Sequence, residues 1–318
     1  MKWPRLSLVI FSNADPGACV RILTDCERLE HDELEFEVIL VLAGLSTKVE
    51  AMLKAYHFSY DLKFVSAEPG CNRATGRNLG VAESKNEIVL FLDQDLEISP
   101  GLLYRHAQGY ESSEIMAVMG EIFMPEFVKK NRWFRFLDSD YRSTRRWASR
   151  SGSRTSPPLR YVNTANFSVR REAYLTAGGH RESIDHPEAE DIDLAYRISS
   201  LGKNVILYQP EALAYCLHAP LRTSLQSKFE FGKEGIPKLV EHYPDLYAVL
   251  PCRFVKLVGH SPVSPISRTM MMFLFTRPVF FLARGIRLLS PDFIAFRMMR
   301  YMLQYESVRG VKSSLEKT

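Results

Sequence analysis

Two carboxylates one residue apart, Asp93 and Asp95, close the apolar run Ile88-Val-Leu-Phe-Leu92. Much later in the chain a second acidic group appears: Glu188, Glu190, Asp191 and Asp193. The first pair offers hard oxygen donors that can hold a divalent cation, and such a cation can hold a diphosphate. In the second group, adjacent Glu and Asp can divide the work of proton transfer: one takes a proton from an incoming hydroxyl while the other orients that acceptor. His218, at the end of a later apolar stretch, is a candidate third metal ligand. Plainer explanations exist for each. Asp is common in turns after strands, carboxylates at a helix N-terminus gain about 0.3–1 kcal/mol from its dipole, Asp193 and Arg197 are spaced for a helical ion pair, and a lone His is commonly packed or on the surface.

Groups so far apart in sequence need a scaffold that brings them together. Strands are expected at 6–11, 35–42, 62–66 and 87–92, alternating with helices from about 17 to 30, at 47–55 and at 73–83. That alternation argues for a parallel sheet with helices on both faces, in which ligands sit beyond the carboxyl ends of the strands. A helix at 100–112 and a strand at 115–123 follow. From Lys129 to Arg160 ten basic residues face only Asp138 and Asp140, and the stretch 124–160, with little periodicity, reads as a basic mobile loop. Regular structure resumes over 161–170, with a helix from Arg171, a turn at Gly178-Gly179, and a helix opened by the acidic run and stopped near Gly202. Two short strands, 204–208 and 212–218, precede a helical region to His242.

The net charge of +4 hides segregation, since the segment after Arg253 is also basic. There Arg284, Arg287, Arg297 and Arg300 interleave with Phe and Met, a pattern of basic amphipathic helices that either lie in a membrane interface or pack on the main domain. Neither apolar half of 270–283 approaches the ~20 residues needed to cross a bilayer. Five scattered cysteines without a Cys-x-x-Cys pair, and an N-terminus that enters a strand at once, point to a reducing, cytoplasmic location. The expected organisation is one domain over 1–245, with a nucleotide-binding half at 1–123, the loop at 124–160 and an acceptor half at 161–245, followed by a basic helical extension at 246–318.

Taken together, Asn72-x-x-x-Gly76-Arg77-Asn78-x-Gly80, Phe91-Leu-Asp93-Gln-Asp95, Asn166-Phe-x-Val-Arg170, Gly178-Gly179, Glu190-Asp191-x-Asp193-Leu-x-x-Arg197 and His218 resemble family 2 glycosyltransferases with the GT-A fold, over roughly residues 5–220. The resemblance implies a GT-A type, Rossmann-like, mostly parallel sheet and an inverting transferase that uses a nucleoside-diphosphate sugar with Mn or Mg. It implies that Asp93 meets the ribose and the metal, that Asp95 ligates the metal, and that His218 completes the ligands. Ser12, Asp15, Asn72, Arg77 and Gly179 are then expected at the nucleotide sugar, Asn166 and Gly178 at the acceptor, Asp191 as catalytic base, and Glu190 both beside it and against the acceptor.

Two departures shape the expectation. The second strand ends in Leu40-Val-Leu-Ala-Gly-Leu-Ser46, without the acids that commonly meet the base or ribose, so the base is open and UDP is the default. No full Gln-x-x-Arg-Trp signature of processive synthases is present, which favours addition of a single sugar to a glycan or lipid-linked glycan. An anionic membrane surface is an expected further partner; nucleic acid is not, because the acidic site would repel it. Two other classes remain open. A nucleotidyltransferase would carry a glycine-rich basic loop after the first strand, where this chain has Ser12-Asn-Ala-Asp-Pro-Gly17, and a non-catalytic sugar-nucleotide or nucleic-acid binder would use the arginine-rich loop.

Overall fold

The computed structural model describes residues 3–13, 15–29, 34–44, 46–152, 155–216, 219–250, 252–255 and 263–316. In chain order they form β1 (Leu6–Ser12), α1 (Pro16–Glu27), β2 (Phe36–Ala43), α2 (Ser46–Lys54), β3 (Asp61–Ala67), α3 (Arg73–Glu83), β4 (Ile88–Asp93), β5 (Glu97–Ile98), α4 (Leu102–Gln108), β6 (Ala117–Phe123), α5 (Arg132–Leu137), α6 (Ser143–Ser151), β7 (Asn166–Arg170), α7 (Arg171–Thr176), α8 (Pro187–Ser199) and β8 (Ile206–Tyr215). Then follow α9 (Leu221–Glu230), α10 (Ile236–His242), α11 (Pro265–Leu274), α12 (Arg277–Leu289) and α13 (Asp292–Leu315). They divide into two compact units. The sheet unit is Met1–Pro125 with Arg150–Leu217, and the helical unit is Glu126–Ser149 with His218–Thr318.

The sheet unit contains one eight-stranded sheet in the order β3-β2-β1-β4-β7-β6-β8-β5. The expected α/β fold is present: β1, β2, β3 and β4 are parallel neighbours, in register so that Phe11 faces Asp93. Apolar runs make β1, β2 and β4 because both their faces are covered: Leu8, Val38 and Leu90 are buried on one face and Val9, Ile39 and Phe91 on the other, whereas β3 is the more exposed edge strand. Beyond β4 the sheet turns mixed: β7 is antiparallel to both β4 and β6. Glycines bring α3 against the sheet, since a Cβ on Gly76 would strike the Phe11 ring and one on Gly80 would strike Val9.

Two expectations need correction. A single ten-residue strand, β8, replaces the two short ones. Its pairing with β6 shifts register between Met119 and Glu121, and Pro210 is accommodated at that irregularity, where the ladder needs no donor from it. The segment expected as a mobile loop holds α5 and α6. On α5, Trp133, Phe136 and Leu137 share one face at three- and four-residue spacing and are buried, with Phe136 against Phe296 of α13 at 5.7 Å between ring centroids.

In the helical unit, α13 packs on α9, α12 and the turn of π-helix at Phe231–Gly235. Close backbone approach there depends on Gly232 and Gly310, because a Cβ on the first would overlap Ser307 and on the second Phe229 and Lys233. Among the described residues no single helix is long and apolar enough to cross a membrane. Only α11 with α12, which meet at a 54° bend, would do so by combined length and composition.

Candidate active site

The sheet unit gathers both acidic groups around two arginines. Asp93 ends β4, and its backbone N–H donates to Ala165 O. Glu190, in the first turn of α8 and in reach of the helix's positive end, and Asp191, the next residue, are both buried. From α3, Arg73 and Arg77 project four residues apart on one face. Asn72 fixes the start of that helix, its side chain accepting from Thr75 N at 2.9 Å. Arg77 donates to Asp93 Oδ1 at 2.8 Å, to Glu190 Oε1 at 3.1 Å and to Thr164 Oγ1 at 2.6 Å. Arg73 reaches the same Glu190 oxygen through Nε and Asp93 Oδ2 at 3.2 Å through Nη1. Thr164 in turn donates to Asp191 Oδ1.

The electrostatics follow from burial. Desolvation pushes the Asp191 carboxyl up to about 7; Arg73 opposes the rise, Glu190 adds to it, and Arg77 and the Thr164 hydroxyl oppose it. A carboxylate so placed is a competent proton acceptor near neutral pH. Behind Arg77, the His180 ring stands edge-on to Phe91 at 5.2 Å, with Nε2 3.5 Å from the guanidinium. Burial first, then Arg77, holds His180 well below its ordinary value, so it stays neutral and adds no competing charge.

Gly178 and Gly179, with φ of +82° and +68°, form a left-handed turn. Arg197 closes it by donating to Ala177 O and Gly179 O while paired with the fully buried Asp193. Asp193 also meets Arg181 at 3.3 Å. This acid therefore builds the turn. The remaining expected residues are distributed around these elements. Ser12 is buried at the end of β1 against the Cys19 thiol at 3.1 Å. Asp15 is exposed and caps α1 through Gly17 N and Ala18 N. Asn166, expected at the acceptor, is instead consumed inside the sheet: its amide donates to Glu121 O and Ala212 O, and its oxygen meets His106 Nε2 at 2.9 Å.

Arg77 is expected at the nucleotide, but its side chain is only 1% exposed and its guanidinium bonds Asp93, Glu190 and Thr164, so it positions acids. Arg73, at 24%, is the guanidinium with access to a ligand. Neither it nor Thr164 was among the expected site residues; the available signal was the four-residue spacing of Arg73 from Arg77.

The donor chemistry for a divalent cation is present in Asp93 and Asp95, since Mg- and Mn-type ions keep waters and need one or two carboxylates beside substrate phosphates. Asp95 is exposed and accepts a hydrogen bond from the Cys216 thiol at 3.3 Å. Burial, then Asp95, raises that thiol above its ordinary value and keeps it protonated. Among the described residues no three His, Cys, Asp or Glu side chains converge as a metal cluster. His218, the expected third ligand, lies outside the described residues.

This sheet, with acids at the β4 tip and at the start of α8, has the GT-A glycosyltransferase fold. The mannosyltransferase PcManGT from Pyrobaculum calidifontis, in complex with GDP-Man and Mn2+, superposes with a TM-score of 0.60 at 13% identity, covering 98% of this chain and 88% of that one. The 1–349 form of S. aureus TarS, also known in complex with UDP, gives 0.52 at 14% identity, covering 98% and 91%. At such identities the likeness concerns the fold alone. The model of glycosyl transferase family 2 matches residues 18–176, half of the 318, and the chain belongs to that family, which classes it as a glycosyltransferase enzyme. The uncharacterized glycosyltransferase YfnE of Bacillus subtilis (strain 168) is 29% identical over 98 residues, 31% of this chain, and the match spans a quarter of that relative's length.

Proposed function

We propose that this chain is an inverting glycosyltransferase that moves one sugar from a nucleoside-diphosphate sugar, UDP by default, to a hydroxyl of a glycan or lipid-linked glycan. The observation that carries the reading is the convergence of Asp93, Glu190 and Asp191 on Arg73 and Arg77. The GDP-Man and UDP in the complexes of the two structural neighbours support a nucleoside-diphosphate donor, and the Mn2+ of the former supports a divalent cation. Asp93 and Asp95 would hold that cation, which when bound supplies charge to offset the leaving diphosphate.

Each side chain has a part in this chemistry. Asp191 takes the proton of the attacking hydroxyl, and its high proton affinity matches that task at neutral pH. Thr164 occupies Oδ1 of Asp191, which leaves Oδ2 to take the proton. Glu190, with Oε1 shared by Arg73 and Arg77, anchors the two guanidiniums and hence the distance between the β4 tip and the base. The Gly178-Gly179 turn offers bare backbone to the sugars, and Gly179 has no room for a side chain, since a Cβ on it would stand 2.8 Å from Asn78 Oδ1.

A thermal-shift panel of UDP-, GDP- and dTDP-sugars, with and without manganese, tests the reading. One base should stabilise the protein in the presence of the ion, and Asp95→Ala should abolish the shift. No stabilisation by any of the donors would refute it.

A further inference from the structure

The helical unit carries a second arginine cluster of a different kind. A cavity of about 480 Å³ lies among α9, α12 and α13, with apolar walls that include Phe280 and Met302, and Arg222, Arg284 and Arg287 line it together. Among the described residues none of these three guanidiniums has a carboxylate partner. Among the described residues Arg287 Nε is buried without a hydrogen-bond partner. Burial, then Arg284 and Arg132, lowers the Arg287 guanidinium from its ordinary value. Arg132 itself is offset by Asp292 at 2.9 Å. Three uncompensated cations around an apolar cavity repel one another, and an external anion would relieve that repulsion.

The surrounding helices indicate what bears the anion. Residues 263–291 hold four arginines and no acid. Phe280, Arg284 and Arg287 follow one face of α12 at i, i+4 and i+7. Beside them Phe281, Leu282 and Leu288 are exposed, Leu289 is 92% exposed, and Phe273 on α11 is 72% exposed. Contiguous apolar side chains rimmed by arginine are the composition of a helix that lies in a lipid interface, with its apolar residues among acyl chains and its cations at headgroups.

We propose that α11 and α12 dock the helical unit on an anionic membrane surface, with the Arg222–Arg284–Arg287 cavity taking the phosphate of a lipid headgroup. The choice of a bilayer over a second copy of this chain rests on charge: a copy would bring the same arginines to the contact.

The test is co-sedimentation of the full chain with phosphatidylcholine vesicles and with phosphatidylcholine–phosphatidylglycerol vesicles. Wild type should partition onto the mixed vesicles and be released by high salt. The R222Q/R284Q/R287Q variant should bind them about 10²-fold more weakly, at roughly 5-fold per arginine, while its melting temperature stays at or above wild type. The R222K/R284K/R287K variant should retain binding, which separates charge from misfolding. Equal partitioning of wild type and the glutamine variant overturns the proposal. So does binding of inorganic phosphate without any vesicle binding, which would make the cavity a small-anion site. A stable dimer indifferent to vesicles would give the face to a second copy, and attachment that resists salt and needs detergent would put the bent α11–α12 pair inside the bilayer; either result overturns the surface site.

Discussion

In the sheet unit two guanidiniums, Arg73 and Arg77, meet three carboxylates in a closed network, whereas in the helical unit Arg222, Arg284 and Arg287 converge without one among the described residues. Burial separates the two cases. The Arg77 side chain is 1% exposed, and a charge so far from water persists only with partners in place. Arg222 and Arg284 are exposed, so water supports them while they remain open to an outside anion. On the proposed function the first cluster holds the catalytic groups in position before a substrate arrives; the second, on the membrane proposal, is completed by an outside anion.

Substitutions that remove a cation should therefore act in opposite directions in the two units. Arg77→Gln leaves Asp93 and the buried Glu190 to Arg73 alone and should lower the unfolding free energy by about 3–5 kcal/mol in denaturant titrations, with loss of transfer. Arg73→Gln removes charged hydrogen bonds at a more accessible position and should cost about 1–3 kcal/mol, with donor binding weakened. Equal effects at the two positions would break the argument from burial. The pH dependence has a definite sign: the useful form of Asp191 is its anion and its proton affinity is raised, so kcat/KM should climb with pH, about tenfold per unit, and level off above about 7. A profile already flat at pH 5 would show that Asp191 ionises like an ordinary carboxyl. Arg287→Gln should change the unfolding free energy by no more than about 1 kcal/mol, and in the stabilising direction, because it removes repulsion. A loss as large as that of Arg77→Gln would mean that the cavity cluster is compensated after all.

Much of this was legible in sequence where local rules decide. Uninterrupted apolar runs gave β1, β2 and β4, and the carboxylates after Leu92 marked the end of β4. What could not be read depends on contacts between distant segments. That β7 runs antiparallel beside β4 follows from tertiary pairing, and its five residues carry no mark of direction. Arg73 looks like any first-turn residue of a helix until Glu190 and Asp93 are brought to it. Thr164 gains its role only because it stands between Arg77 and Asp191. Asn166 fits the family pattern by spacing, yet its amide is spent on the β6 and β8 backbones. In 124–160 the density of arginine masked the Trp133, Phe136 and Leu137 face that makes α5 a packed helix.

The central claim is that Asp191 removes a proton from the acceptor and does not hold the donor. The direct measurement is transfer turnover for Asp191→Asn alongside donor affinity by calorimetry. The account predicts a fall in kcat of ~10²-fold or more, the scale of a general base, with donor affinity unchanged. Turnover within a few-fold of wild type, or a parallel collapse of donor binding, would contradict it.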